Sequence, residues 1–150
     1  MIALAAGATL DTEDTDAAFR LTPVSTNFTA TGSTTLKQGS MTLPCTAHFS
    51  GATDAAGGGA VTGANFSGGS ICSSLGARGF PWTITADSLT QVTIRNVTVA
   101  SLAGTCGPST VTATYDSAAG TLTFNDAQLS GGCSVSGTLT TSPPITIASP

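Results

Sequence analysis

Four cysteines provide the most distinctive chemistry of this 150-residue chain. Cys45 and Cys72 are 27 positions apart, and the same interval separates Cys106 from Cys133. Each interval contains an apolar alternation, a turn led by Asp, a second alternation and a Ser-Gly-Gly before the closing cysteine. This spacing predicts disulfides formed in an oxidising compartment. Three pairings are possible, and the repeated interval favours Cys45–Cys72 with Cys106–Cys133.

Metal ligation is the alternative use of the cysteines. Structural zinc sites use close pairs such as C-x₂₋₄-C, and no two cysteines here are closer than 27 positions. Disulfides are therefore favoured, and we expect neither a metal site nor a cofactor.

Histidine chemistry would depend on one residue, because His48 is the only histidine. Neither a G-x-S-x-G nor an H-E-x-x-H motif accompanies it, and the surrounding alternation turns it outward. A solvent-facing histidine is favoured over a catalytic one. We expect no catalytic residues and no enzyme activity.

A cluster of carboxylates occurs in the segment DTEDTD at 11–16, with Asp11, Glu13, Asp14 and Asp16. Carboxylate oxygens are the donors that calcium prefers, but the glycine and closing glutamate of an EF-hand loop are missing. A solvated acidic linker is favoured over a calcium site.

Aromatic residues cluster in Gly79-Phe80-Pro81-Trp82, which contains the only tryptophan. If exposed, Phe80 and Trp82 form a ligand patch that stacks on a sugar ring or an alkyl chain. The alternative, which is favoured for an aromatic residue at the start of a strand, is a place in the core.

Composition predicts an all-β protein. Charged residues are 8% of the chain, whereas Thr, Ser, Gly and Ala number 28, 17, 18 and 22. Threonine suits the outer face of strands, and the residues that favour long helices are scarce. The net charge of −4 and the four scattered cations argue against nucleic acid as a partner. No apolar run is long enough for a transmembrane segment.

Period-2 alternation between turn signals predicts nine or ten short strands. The clearest hairpin runs from Val111 to Phe124 around the turn Asp116–Gly120. The phase of the alternation flips near Arg95–Asn96, which predicts a bulge. This spacing of strands is typical of an antiparallel β-sandwich or jelly roll. We expect residues 23–150 to form a single domain of that kind.

Residues 1–22 differ in amino-acid composition from the rest of the chain and are predicted to form an N-terminal arm. The segment MIALAAGATL resembles the end of a secretory signal but lacks a preceding basic region. As mature chain, it could add as a strand to the sheet of a neighbouring copy. Folding back on its own domain, or a start-site artefact, is about equally favoured. The self-association residues would be Ile2, Leu4, Ala6, Ala8 and Leu10.

Several segments resemble the PraB family, small secreted bacterial proteins described as activators of alkane oxidation. They are FTATGSTTLKQG (28–39), LPC (43–45), FPW (80–82), CGPSTV (106–111), GTLTFNDA (120–127) and CSVSGTLTTSPPITI (133–147). The resemblance covers residues 23–148, whereas the sequence of residues 1–22 departs from that of the family. It implies Gram-negative origin, export and a link to growth on hydrocarbons, and it brings no catalytic residues.

Two functions follow as hypotheses. The favoured one is a secreted structural subunit that assembles with copies of itself into an extracellular filament or biofilm matrix through its arm. The alternative is a secreted module that binds hydrocarbon or surfactant and promotes alkane oxidation. Both place the protein outside the cell or at its surface.

Overall fold

The computed structural model describes residues 18–150, which form eleven strands and one 3₁₀ turn. The strands are β1 (Arg20–Thr22), β2 (Asn27–Gln38), β3 (Met41–Thr53), β4 (Gly59–Ser67), β5 (Gly76–Arg78), β6 (Trp82–Ser88), β7 (Gln91–Ser101), β8 (Gly104–Asp116), β9 (Thr121–Leu129), β10 (Cys133–Ser142) and β11 (Thr146–Ala148). The 3₁₀ turn, Cys72–Ser74, lies between β4 and β5.

Eight strands form one closed antiparallel barrel. They pair in the order β2, β3, β4, β6, β7, β8, β9 and β10, and β10 then pairs with β2. Apart from that closing pair, every connection joins neighbours along the chain, with β5 lying between β4 and β6. β5 pairs with the second half of β7. β1 and β11 form a separate two-stranded sheet.

The all-β class and the two disulfides are confirmed, but the predicted sandwich or jelly roll is wrong. A sandwich needs two sheets with free edges, whereas pairing of β10 with β2 makes this sheet continuous. The last strand of the predicted arm, Arg20–Thr22, lies in this folded unit, and Leu21 is buried in its core.

Two glycines allow the closing strands to approach. A Cβ placed at Gly32 of β2 would lie 2.0 Å from the carbonyl oxygen of Thr138, and one at Gly137 of β10 would lie 2.4 Å from that of Ser33. Such separations are impossible for a real side chain. The barrel therefore closes where both strands carry a residue without a Cβ.

Local features of the sheet follow the predicted pattern. The β7–β8 register shifts between Ile94 and Val97, where Asn96 has a positive φ of 69°, so the predicted bulge is confirmed. The hairpin of β8 and β9 is also confirmed. Its turn is held by Asp116, whose Oδ1 accepts hydrogen bonds from the amides of Ala118 and Ala119.

Both favoured disulfides are present. Cys45 on β3 bonds to Cys72 in the 3₁₀ turn, and Cys106 on β8 bonds to Cys133 at the start of β10. The Cα atoms are 5.6 and 5.9 Å apart, which is a usual separation for this bond. The first disulfide therefore ties the connection after β4 to the barrel wall, and the second joins two strands of the wall.

Candidate functional site

The barrel encloses an apolar cavity with a volume of about 100 Å³. It lies where inward-facing side chains of the strands meet, and its surface is almost entirely carbon. The lining includes Leu36, Leu43, Val61, Val92, Leu139 and Ile145. An eight-stranded barrel is just wide enough to be filled by side chains or to hold one small ligand.

Two hydroxyl-bearing side chains of the lining form a buried network. The hydroxyl of Tyr115 donates to the carbonyl of Ile145 at 2.5 Å and lies 3.0 Å from Oγ1 of Thr141. Thr141 donates in turn to the carbonyl of Gly120 and accepts from the amide of Ile145. Burial raises the pKa of Tyr115, although hydrogen bonding with Thr141 opposes the shift.

The two other polar side chains of the lining are bonded to nearby backbone. Thr34 on β2 donates to the carbonyl of Cys45 at 3.1 Å. The indole nitrogen of Trp82 donates to the carbonyl of Arg78 at 2.7 Å. Because these bonds fix both groups against the wall, the wall presents their carbon atoms to the cavity.

A row of aromatic rings lies along one part of the wall. Phe66 meets Phe49 edge to face with centroids 6.1 Å apart, Phe49 lies 5.8 Å from Trp82, and Trp82 stacks on Phe80 at 5.2 Å. Phe66, Phe49 and Phe80 are half-buried, whereas Trp82 is only 3% exposed. The row therefore extends from the interior of the barrel toward its surface.

The same part of the wall contains a seam. β4 pairs with β6 only through Gly59–Val61, so the remaining residues, 62–67, have no ladder partner on that side. β5 lies next to them but pairs with β7. Among the described residues, no backbone ladder joins 62–67 to β5, and Phe66 of this interval packs against Phe49 of β3. We call this interval the β4–β5 seam.

The connection across the seam is tied down by one disulfide. The chain leaves β4, passes Gly68 with a φ of +113° and enters the 3₁₀ turn that contains Cys72. The bond from Cys72 to Cys45 fixes this connection to β3. The other disulfide joins β8 and β10, neither of which borders the seam.

The predicted aromatic patch is only partly at the surface. Trp82 is buried and lines the cavity, so the favoured alternative, a place in the core, is correct for this residue, and an exposed Trp82 is not. Phe80 is half-buried against it. The ligand role of the pair stays a prediction.

His48 lies on the outer face of β3 and is half-buried, with Nδ1 3.4 Å from Oγ1 of Thr31. The predicted arm residues Ile2, Leu4, Ala6, Ala8 and Leu10 lie outside the described residues, as does the acidic segment 11–16. Self-association through the arm and calcium binding stay predictions.

Within residues 18–150, no three His, Cys, Asp or Glu side chains are grouped so that they could hold a metal ion. No helix in that range is long and apolar enough to cross a membrane.

The cavity was not predicted from the sequence. At the inward positions of the strands, Thr34, Tyr115 and Thr141 interrupt series of apolar residues. Polar residues at such positions need partners, and here they bond to the wall itself.

Comparison with known proteins gave one match. A family model described as alkane oxidation protein activator PraA/PraB-like matches residues 1–149. The match includes 1–22, the stretch over which the resemblance was expected to end. No curated protein and no solved structure shows a significant match.

Proposed function

Because the chain belongs to the PraA/PraB-like family of alkane oxidation protein activators, we propose that it is a secreted module that binds a hydrocarbon chain inside its barrel and so promotes alkane oxidation. The cavity is the single observation that carries this proposal. The two disulfides support export, since such bonds persist in oxidising compartments.

The size and chemistry of the cavity suit a short alkyl segment. Its volume of about 100 Å³ is of the same order as the engineered cavity of roughly 150 Å³ in another protein that stays dry and binds benzene. Burial of one methylene group is worth about 0.8 kcal/mol, close to a fourfold gain in affinity. Affinity should therefore rise with chain length until the cavity is full.

Trp82 offers a direct test, because it is the only tryptophan and it lines the cavity. We expect 1-bromobutane, a heavy-atom quencher, to reduce the fluorescence of Trp82 saturably. Added n-pentane should restore the emission by competition. Quenching that does not saturate, or that n-pentane leaves unchanged, would contradict binding in the cavity.

A cavity-filling variant separates interior binding from adsorption to the surface. Ala30 of β2 is 4% exposed and lines the cavity, so Ala30→Leu should fill part of the space and weaken quenching at least about tenfold. The matched control is Thr29→Leu on the exposed outer face of the same strand. Equal quenching in the two variants would show that the ligand binds elsewhere.

The hypothesis of a self-assembling filament stays a prediction. Because the described barrel is closed, a donated strand would have to pair with the open side of β4 at residues 62–67, or with β1, β11 or β5. The segment predicted to make this contact lies outside the described residues.

A further inference from the structure

All the hydrogen-bond donors among the side chains of the cavity lining are already in use. The hydrogens of Thr34 and Trp82 are donated to the carbonyls of Cys45 and Arg78. Those of Tyr115 and Thr141 go to Ile145 and Gly120. Each acceptor is a backbone carbonyl of the barrel itself.

The hydrogen-bond acceptors of the lining side chains are also occupied, so they are not free to bind a ligand. Oγ1 of Thr141 accepts the amide of Ile145 at 3.2 Å and lies 3.0 Å from the hydroxyl oxygen of Tyr115. What faces the cavity is almost entirely carbon.

A ligand that carries a hydroxyl group would lose its hydrogen bonds to water on entering and gain none. The penalty for burying an unpaired hydroxyl corresponds to roughly a tenfold to hundredfold loss of affinity. A carboxylate would lose far more, because burying an unpaired charge is costlier still. The barrel offers neither group a partner.

Because the polar side chains of the lining are already hydrogen-bonded within the protein, we infer that the cavity selects unoxidised hydrocarbon and rejects the alcohol or acid of the same size. The inference rests on the proposed function and adds a ligand class to it. A chain that becomes hydroxylated would no longer be held. The protein would thus bind the alkane, which is the substrate of the oxidation, and release the oxidised products.

The test compares n-pentane with 1-butanol, which have the same number of heavy atoms. Each is titrated against the 1-bromobutane quenching of Trp82 in the wild-type protein. We expect n-pentane to compete at least about tenfold more strongly. Equal competition would overturn the selectivity while leaving the proposed function intact. Absence of competition by either would overturn both.

A variant that frees an acceptor should change the selectivity. Tyr115→Phe removes the hydroxyl that donates to Ile145, which leaves that carbonyl available to an alcohol at the edge of the cavity. We expect the preference for n-pentane to shrink several-fold toward 1-butanol. An unchanged preference in a folded Tyr115→Phe protein would contradict the inference.

The matched control for volume is Phe124→Leu. Phe124 also lines the cavity, but its removal enlarges the space without freeing a polar atom. The affinities for n-pentane and 1-butanol should change together, so the ratio of the two affinities should stay near the wild-type value. A comparable fall in the ratio would assign the effect to volume and overturn the role of the hydrogen bonds.

Discussion

Tyr115 links the ionisation of a single side chain to the stability of the whole barrel. Its pKa is raised chiefly by burial, so the folded protein favours the neutral phenol. The unfolded chain ionises near the usual value of about 10 and the folded protein only at higher pH. Stability from this group is therefore full below pH of about 10 and is lost as pH rises through the pKa of the folded state.

Titration of tyrosinate absorbance checks this prediction without ambiguity, because Tyr115 is the only tyrosine. We expect a midpoint above about 10 in the folded protein and near 10 in denaturant. Tyr115→Phe should abolish the signal and lower the free energy of unfolding by about 1–3 kcal/mol through the unpaired carbonyl of Ile145. A normal midpoint in the folded protein would show that the phenol is solvated.

Gly32 is the residue at which side-chain volume controls closure of the barrel. Because its Cβ would lie 2.0 Å from a backbone oxygen of β10, Gly32→Ala must separate the closing strands. We expect a loss of about 1–3 kcal/mol or more in denaturant unfolding. Gly63→Ala on β4 is the control, since no atom lies within 4 Å of its Cβ position. Similar losses in both variants would contradict the steric explanation.

At the level of strands, the two disulfides form a natural pair for comparison. Both span 27 positions, so the chain-entropy model assigns each a stabilisation of about 3.5 kcal/mol. Replacing either pair by alanine should lower the free energy of unfolding by a similar amount. Only the Cys45–Cys72 bond restrains the β4–β5 seam.

The seam therefore predicts a kinetic difference between the two variants. Loss of the Cys45–Cys72 bond should accelerate the exchange of 1-bromobutane, because no backbone ladder closes the wall between residues 62–67 and β5. Loss of the Cys106–Cys133 bond should leave the exchange rate near wild type. Stopped-flow fluorescence of Trp82 measures both rates, and equal acceleration would place the access route elsewhere.

The strands could be predicted from the sequence far better than the closure of their sheet into a barrel. Alternation located the hairpin around Asp116–Gly120 and the bulge at Asn96, because both are local patterns. Closure depends on pairing between β2 and β10, which are about a hundred positions apart in the chain and leave no periodic signal. Gly32 lies inside β2, where it permits that pairing.

The cavity was unpredictable for a related reason. Inward-facing residues can be assigned from alternation, but their packing depends on the number of strands in the ring and on their tilt. Trp82 illustrates the limit. Its place at the start of a strand favoured the core, and nothing in its neighbours indicated that the core contains a void.

For the whole molecule, the structure locates the boundary between the arm and the folded unit more precisely than the amino-acid composition does. β1 starts at Arg20 and Leu21 is buried, so a truncation that tests the arm should remove only residues 1–17. We expect the shortened protein to keep its thermal stability and its quenching by 1-bromobutane. If the arm joins copies, filaments seen by negative-stain microscopy should disappear. Unchanged filaments would rule out that role.

The small sheet also determines how the barrel would respond to mechanical load. Arg20 of β1 lies opposite Ala148 of β11, so force applied to the segments outside them acts at one end of an antiparallel pair. The hydrogen bonds would then break one after another, as in a zipper, and not together as in shear. Leu21 and Ile147 would leave the core first. Further extension would be limited, because the disulfides keep the loops 45–72 and 106–133 from lengthening.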